Sequence, residues 1–334
     1  MNHMLMFRGA RKIITTCVKA KPGEQLLIVT DPTLLAVAEA LAGAGEDAGC
    51  ETVVTVMRPR QWDGEEPPAA VAEAMSTVDI VIFPTMRDIA HTVATKSALK
   101  TGTRVVSMAG CAPEILMEGG IEEDFERMRP LCDEVAAMLG AGSEVKLTNP
   151  AGTDVTVDIR ERPGNSHCCI ADRPGVFTGV PNIEANISPS NVEGTIVFDG
   201  SVPNLRGSER GLLRSPIVLT VAGGRVTKVE GGEEARQLDA LWRSQNDPSV
   251  YNVAQLALGL NPRITGVNGL IVNDHGAWGT VHFGIGTSSN LGGIVKAKGH
   301  IDGIMLRPTL SIDGKTVLEA GEVLVEAPAA GPSQ

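Results

Sequence analysis

Three of the six histidines in this 334-residue chain lie close together near its C-terminal end. They are His275, His282 and His300, and Asp302 follows the last of them at a spacing of two. Side chains alternate along a β-strand, so His300 and Asp302 would point to the same face. Imidazole and carboxylate groups on one face are common ligands of divalent cations. The segment 274–303 therefore predicts a metal site.

This segment contains a set of two histidines and one carboxylate. His282, His300 and Asp302 would suit non-haem Fe(II), and Mn or Zn almost as well, so spacing alone does not identify the metal. His275 and His282 are seven residues apart, which would place them on opposite sides of one extended strand unless a bulge at an intervening glycine restores the phase. We expect His282 to be the ligand of the two, because 280–283 has the pattern of a strand interior.

Two further polar residues stand in apolar surroundings. Glu184 is the one charged residue in the segment 178–192. A buried carboxylate is costly unless a metal ion or an arginine compensates for it, and a surface position is the alternative. Gln255 is embedded in the apolar segment 252–262. Both residues are candidates to complete the metal site.

The composition limits the classes of function. The formal net charge of −11 argues against nucleic-acid binding, which needs a basic face, and aromatic residues make up only 3% of the chain. No apolar run approaches the roughly 20 residues that span a bilayer, and residues 1–12 lack the pattern of a signal peptide. We therefore expect a cytoplasmic protein. Its six scattered cysteines predict buried reduced thiols, and a thiolate metal site at Cys168 and Cys169 is the less favoured alternative.

The elements that must position these residues fall into two regions. In the first region, 1–144, short apolar strands alternate with helical patterns, which predicts βαβ units and a Rossmann-like α/β domain with a parallel sheet. The strands are predicted at 26–30, 52–57, 78–83 and 104–108, and the helices at 8–19, 34–48, 71–75 and 122–139. Neither a Gly-X-Gly-X-X-Gly motif nor a Walker-type loop is present, so the fold class alone does not indicate a nucleotide. His91 follows the third strand and, as a lone histidine, is expected to be structural.

The second region, 145–334, has the alternating pattern of antiparallel strands. A hairpin is predicted over 145–159, further strands at 194–199, 217–221 and 225–230, and one helix over 233–245. We therefore expect a β-rich α+β domain that binds the metal and is catalytic.

An ordered series of motifs resembles two related enzyme families over nearly the whole chain. The motifs are Pro-X-X-Glu-X-X-X-X-Pro at 181–189, Glu-Gly-Thr-Ile-Val-Phe-Asp-Gly at 193–200, Asn-Val-Ala-Gln-Leu-Ala-Leu-Gly-Leu-Asn-Pro at 252–262, Gly-Thr-Val-His-Phe-Gly-Ile-Gly at 279–286 and His-Ile-Asp-Gly at 300–303. Together they resemble the thermophilic metallo-aminopeptidase (leucyl aminopeptidase-like) family and 2,5-dihydroxypyridine 5,6-dioxygenase, a ring-cleaving Fe(II) enzyme on the same scaffold. The segments 100–104 and 246–251 resemble the dioxygenase branch in particular. The motifs are specific for the superfamily and not for the reaction.

The resemblance implies roles for individual residues. Glu184, His282, His300 and Asp302 match metal ligands of the aminopeptidases. Gln255 stands where the aminopeptidases have a glutamate and the dioxygenase has a histidine ligand, so it departs from both patterns. The resemblance also implies a homodimer.

Two more positions depart from the aminopeptidase pattern. His275 stands where compact relatives have an acidic residue, and Ser289 where they have a tyrosine. A site for two metal ions needs several carboxylates to neutralise and bridge them. Because acidic positions are lost, we expect one tightly bound divalent ion, which could be Fe, Mn, Zn or Co.

Two enzyme classes are consistent with these residues. The first is a hydrolase that cleaves an amide or related C–N bond of a small molecule through a metal-activated water, with His275 or Glu184 as the general base. The alternative is a non-haem Fe(II) ring-cleaving dioxygenase for a dihydroxypyridine-like or hydroxylated aromatic substrate, with His275 taking a substrate proton. We rank the hydrolase narrowly first because Glu184 and His282 are retained. A degenerate site in a binding protein is the third hypothesis.

Overall fold

A computed structural model describes residues 2–203, 205, 210–289 and 291–327. The helices are α1 (Asn2–Lys12), α2 (Leu35–Asp47), α3 (Ala69–Met75), α4 (Val93–Thr101), α5 (Phe125–Ala141), α6 (Glu233–Ser244) and α7 (Ile271–Asp274). A π-helical turn, Ile13–Cys17, continues α1, and 3-10 turns lie at Pro113–Leu116, Gly119–Glu122 and Pro248–Tyr251.

The described part of the chain also forms eighteen strands. They are β1 (Gln25–Thr30), β2 (Glu51–Val56), β3 (Ile80–Phe83), β4 (Arg104–Ser107), β5 (Glu144–Thr148), β6 (Asp154–Asp158), β7 (Gly164–Cys168), β8 (Phe177–Gly179), β9 (Ile183–Ile187), β10 (Asn191–Phe198), β11 (Ile217–Ala222), β12 (Arg225–Gly231), β13 (Val253–Gly259), β14 (Val281–Gly286), β15 (His300–Met305), β16 (Thr309–Ile312), β17 (Lys315–Glu319) and β18 (Glu322–Val323).

Local signals explain where several helices begin and end. Thr92 caps α4 by accepting a hydrogen bond from the backbone N–H of Thr95, and the helix ends at Gly102, whose φ is +96°. Asp124 caps α5 in the same way. Asp31 accepts a hydrogen bond from the backbone N–H of Thr33 in the turn before α2.

The first sheet is parallel, with strand order β2-β1-β3-β4-β8. β3 is buried along its whole length. A strand that is covered on both faces consists of consecutive apolar residues, as β3 does. The fifth strand, β8, comes from beyond residue 145 and was not predicted. It pairs in parallel with β4, from Val105 opposite Phe177 to Ser107 opposite Gly179.

The other two sheets are antiparallel. One has eight strands in the order β12-β11-β10-β6-β5-β16-β17-β18, and the other has five in the order β15-β14-β13-β9-β7. Helix α5 packs on β7 and β9 of the five-stranded sheet. The prediction of a parallel α/β arrangement followed by a β-rich one is confirmed at this level of detail.

The cysteines and the helices also bear on expectations from composition. All six cysteines are buried and free, as predicted. Cys132 on α5 donates its S–H to the main-chain carbonyl of Glu184, with 3.1 Å between the two atoms. No helix among the described residues combines the length and the apolar character needed to cross a bilayer.

Candidate metal centre

Four adjacent strands of the five-stranded sheet place the candidate residues beside one pocket. The strand residues are Glu184 on β9, Gln255 on β13, His282 on β14, and His300 and Asp302 on β15. His275 comes from outside the sheet and follows α7 directly. The structure therefore brings together all six residues that the sequence singled out.

Glu184 is a buried carboxylate, with 3% of its surface exposed. Its Oε1 lies 3.4 Å from Nδ1 of His167, and its Oε2 lies 3.7 Å from Nε2 of His282. Burial alone would raise the pKa of Glu184, but the hydrogen bond from His167 and the potential of His282 and His275 hold it well below its usual range. Glu184 is thus ionised in the folded protein, and the surface alternative is wrong.

Three side-chain amides surround this carboxylate. Asn182 donates to Oε2 at 2.8 Å, Asn186 donates to Oε1 at 2.8 Å, and Gln255 donates to Oε1 at 3.2 Å. The amide nitrogen of Gln255 therefore faces Glu184, and Gln255 supports the carboxylate as a donor. The two asparagines were missed from the sequence, although residues 182, 184 and 186 share one face of an extended segment.

His275 and His282 do not share a strand. Gly279, with φ at +70°, turns the chain between α7 and β14, and the two imidazoles stack with 4.3 Å between ring centroids and 22° between planes. Glu184, His275 and His282 each offer a ligand atom, and these atoms lie within 4.8 Å of one another. The two histidines do not face apart, because the chain turns at Gly279, one of the intervening glycines.

Several buried polar atoms of this cluster lack a hydrogen-bond partner within the described residues. They are Nε2 of His275, both ring nitrogens of His282 and Oδ1 of Asn182. Burial lowers the pKa of His282 to about 4, so its ring is neutral near pH 7 and offers a lone pair. Unpaired imidazole nitrogens beside an ionised carboxylate fit a divalent cation.

His300 and Asp302 form a second pair beside this group. Nδ1 of His300 lies 2.8 Å from the carbonyl oxygen of Thr287, and Nε2 lies 3.0 Å from Oδ1 of Asp302. A carbonyl only accepts, so Nδ1 carries a proton and the Nε2 of a neutral ring would face the carboxylate as a second acceptor. A proton or a metal ion must therefore lie between them.

The pKa shifts of this pair agree with that geometry. Burial lowers the pKa of His300, but the adjacent carboxylate outweighs it and the net shift is upward. Burial would raise the pKa of Asp302, but His300 and His275 hold it well below its usual range. Oδ2 of Asp302 also lies 3.5 Å from Nε2 of His275, which connects the two groups of candidate ligands.

Three residues that the sequence treated as structural or did not single out also lie here. The ring of His91 stacks on that of His300 with 4.1 Å between centroids, and His167 contacts Glu184. Asp88 is partly buried, and the loss of solvation raises its pKa to about 7. All five histidines whose side chains the structure describes therefore surround one site.

An inner pocket of about 100 Å³ lies against several of these groups. Its polar wall includes Asp88, Asn182 and Glu184, and its apolar wall includes Phe177 and Leu291. His91 lines both this pocket and a wider outer cavity of about 670 Å³. A partly apolar pocket beside a few convergent polar groups is typical of a small-molecule site.

Comparison with known proteins places this chain in a family. The family described as NicX, 2,5-dihydroxypyridine 5,6-dioxygenase, matches residues 7–325. The chain belongs to this family. A 2,5-dihydroxypyridine 5,6-dioxygenase of Pseudomonas putida strain KT2440 is 28% identical over 265 residues, which cover 76% of this chain and 73% of that one.

Two solved structures share the fold of this dioxygenase-family chain. The 2,5-dihydroxypyridine dioxygenase from Pseudomonas putida KT2440 has a TM-score of 0.80 at 21% identity and covers 98% of both chains. Wild-type AmpT from Thermus thermophilus has a TM-score of 0.72 at 15% identity, covering 96% of this chain and 99% of that one. The resemblance to two related families is confirmed, and so is the prediction of a metal-dependent enzyme.

Proposed function

We propose that this protein is a non-haem Fe(II) dioxygenase that cleaves the ring of a dihydroxypyridine-like substrate. Membership of the dioxygenase family and the 28% identical relative support this reaction. The hydrolase that was ranked first from the sequence has weaker support, because AmpT is only 15% identical and indicates a common fold. The alternative interpretation therefore replaces the first.

The proposal of a metal ion rests on a set of buried ligand atoms that have no hydrogen-bond partner in the part of the chain that the structure describes. Imidazole nitrogens of His275 and His282 and a carboxylate oxygen of Glu184 lie within 4.8 Å of one another, and Nε2 of His275 and both ring nitrogens of His282 have no hydrogen-bond partner within the described residues. Two histidines and one carboxylate are a ligand set suited to non-haem Fe(II).

We propose that the ligands of the metal are drawn from five residues. They are Glu184, His275, His282, His300 and Asp302. The first three form one group and the last two the adjoining pair, and the contact between His275 and Asp302 joins them. Gln255 takes no ligand position here, because its amide nitrogen faces Glu184.

The residues of the chain prepare the substrate for this chemistry. Bound iron would supply the redox chemistry that joins molecular oxygen to the aromatic ring. His91 lines the inner pocket and stacks on His300, so it is placed to take a proton from a substrate hydroxyl. Phe177 and Leu291 contribute apolar surface that limits water around the ring. His275, the base suggested from the sequence, becomes a ligand in this proposal.

Metal analysis and oxygen uptake test the proposal together. Protein purified without a metal-chelating column should contain about one equivalent of iron and consume oxygen with 2,5-dihydroxypyridine. Two equivalents of zinc, cobalt or manganese, with release of an amino acid from a chromogenic amide, would show that it is a hydrolase. Measurement of the molecular mass in solution would test whether the protein is the homodimer that the family resemblance implies.

A further inference from the structure

One residue that lines the inner pocket carries a buried hydrogen-bond acceptor without a donor in the described part of the chain. The acceptor is Oδ1 of Asn182, a residue with 6% of its surface exposed. Asn182 lines the inner pocket together with Glu184 and His275. A buried polar atom without a partner is destabilising, so its retention calls for an explanation.

The orientation of the Asn182 amide follows from its neighbour. Its Nδ2 lies 2.8 Å from Oε2 of Glu184, a carboxylate oxygen that accepts this hydrogen bond. The amide nitrogen must therefore face Glu184, and the opposite orientation would bring two acceptors together. The unpartnered atom is thus an oxygen.

Asn186 provides an internal comparison. It also donates its amide to Glu184 at 2.8 Å, but its Oδ1 accepts a hydrogen bond from Nδ2 of Asn165 at 2.9 Å. The two asparagines flank Glu184 and donate to its carboxylate at the same distance. They differ in that the oxygen of Asn182 alone remains without a donor among the described residues.

We propose that Oδ1 of Asn182 accepts a hydrogen bond from the ring N–H of a lactam heterocycle, so that Asn182 makes the site specific for pyridones over hydroxylated benzenes. This inference rests on the proposed function, in which the substrate hydroxyl groups act as acids toward the metal and its bases. A 2-hydroxypyridine in its 2-pyridone form keeps one further donor, the ring N–H. The corresponding position of a benzene ring is a C–H and leaves the amide oxygen unpaired.

The energetic consequence is selection between two substrate classes that the sequence left open. A ligand without the donor must bury the Asn182 oxygen unpaired, whereas a pyridone pairs it. We expect 2,5-dihydroxypyridine to bind about 10-fold to 100-fold more tightly than hydroquinone, its carbocyclic counterpart.

The test measures dissociation constants without oxygen, so that binding is separated from turnover. Iron-loaded wild-type protein, Asn182→Leu and Asn186→Leu are compared with both ligands by calorimetry, and the iron content of each is measured. In Asn182→Leu the preference for the pyridine should fall to near unity. In Asn186→Leu, which also removes an amide donor from Glu184, the preference should persist. Loss of preference in both variants, or loss of iron in Asn182→Leu alone, would assign Asn182 to support of the metal and overturn the proposal.

A second ligand makes the test independent of the variants. 5-Hydroxy-2-pyranone has a ring oxygen in place of the N–H, and the wild-type protein should bind it as weakly as hydroquinone. Equal affinity for the pyridone and the pyranone would refute the role of Asn182. Selective pyridone binding without oxygen uptake would refute the dioxygenase and leave the Asn182 proposal standing.

Discussion

The imidazole of His275 lies face to face with that of His282, with 4.3 Å between their centroids. Two protonated rings at this separation would repel each other, and burial further disfavours the charge on His282. The pKa of His282 falls to about 4 for these reasons, burial being the larger. His282 is therefore kept neutral near pH 7, which is the form of imidazole that binds a metal ion.

The carboxylate of Glu184 should be required to retain the metal. Glu184→Gln removes the charge and leaves three amide donors facing a side chain with a single acceptor oxygen. We expect metal affinity to fall by more than about 100-fold and the apo-protein to lose about 1–3 kcal/mol of unfolding free energy. Metal analysis and chemical denaturation measure these effects. Glu230→Gln, at a surface ion pair, is the control and should change neither.

His300 and His91 stack on each other but should respond differently to substitution. His300→Ala removes a proposed ligand and should abolish metal retention. His91→Ala removes the stacking partner and the proposed proton acceptor, so iron should stay near the wild-type content while oxygen uptake falls by about 100-fold or more. Elemental analysis and an oxygen electrode distinguish the two. Wild-type metal content in His300→Ala would remove His300 from the ligand set.

Gln255 should act on the metal through Glu184. Gln255→Leu removes the 3.2 Å hydrogen bond to Oε1 and leaves the ligands in place. We expect a decrease of about 10-fold to 100-fold in metal affinity, measured by competition with a chelator. Gln61→Leu, at an exposed position, serves as the matched control. An affinity equal to that of the wild type would mean that the two other amides suffice.

Asp88 should make the stability of the metal-free protein depend on pH. Its pKa is about 7 in the folded state, mainly because of burial, against an ordinary value of 3.8. Between these values the unfolded state releases a proton that the folded state keeps, so unfolding free energy is lost as pH rises from about 4 to 7.

The variant Asp88→Asn isolates this contribution. Its amide oxygen can still accept the hydrogen bond from the backbone N–H of Ala90, which is 2.7 Å long in the wild type. Asp88 is partly buried, so we expect the variant to gain about 1–2 kcal/mol over the wild type at pH 7.5 and nothing at pH 4. Denaturation of chelator-treated protein at the two pH values measures the difference. A difference in unfolding free energy between variant and wild type that is the same at both pH values would contradict the raised pKa of Asp88.

The parts of the fold that could be predicted are those with a clear local pattern. β3 is a buried apolar run, and the pair β5 and β6 alternates around a turn, so both were found from the sequence. β8 has only three residues, Phe177–Gly179, and its pairing with β4 is a long-range contact that no local pattern encodes. Its place in the first sheet could not be predicted for that reason.

The site was predictable where its residues share a strand. His300 and Asp302 lie on β15 at a spacing of two, and strand geometry predicted their contact. His275 could not be placed, because α7 is four residues long and the turn at Gly279 reverses the chain. Asn182 and Asn186 lie two residues on either side of Glu184, so strand alternation could have placed them on the same face. His91 and Asp88 follow β3 of the first sheet, and only the tertiary fold brings them to the site.

The strand β8 has a practical consequence for protein engineering. It completes the first sheet beside β4, and the chain then passes directly into β9, which carries Glu184. A chimaera that exchanged residues 1–144 between two homologues would combine four strands of the first sheet from one parent with the edge strand β8 from the other. Crossover points for recombination should therefore keep 104–107 and 177–187 from the same parent.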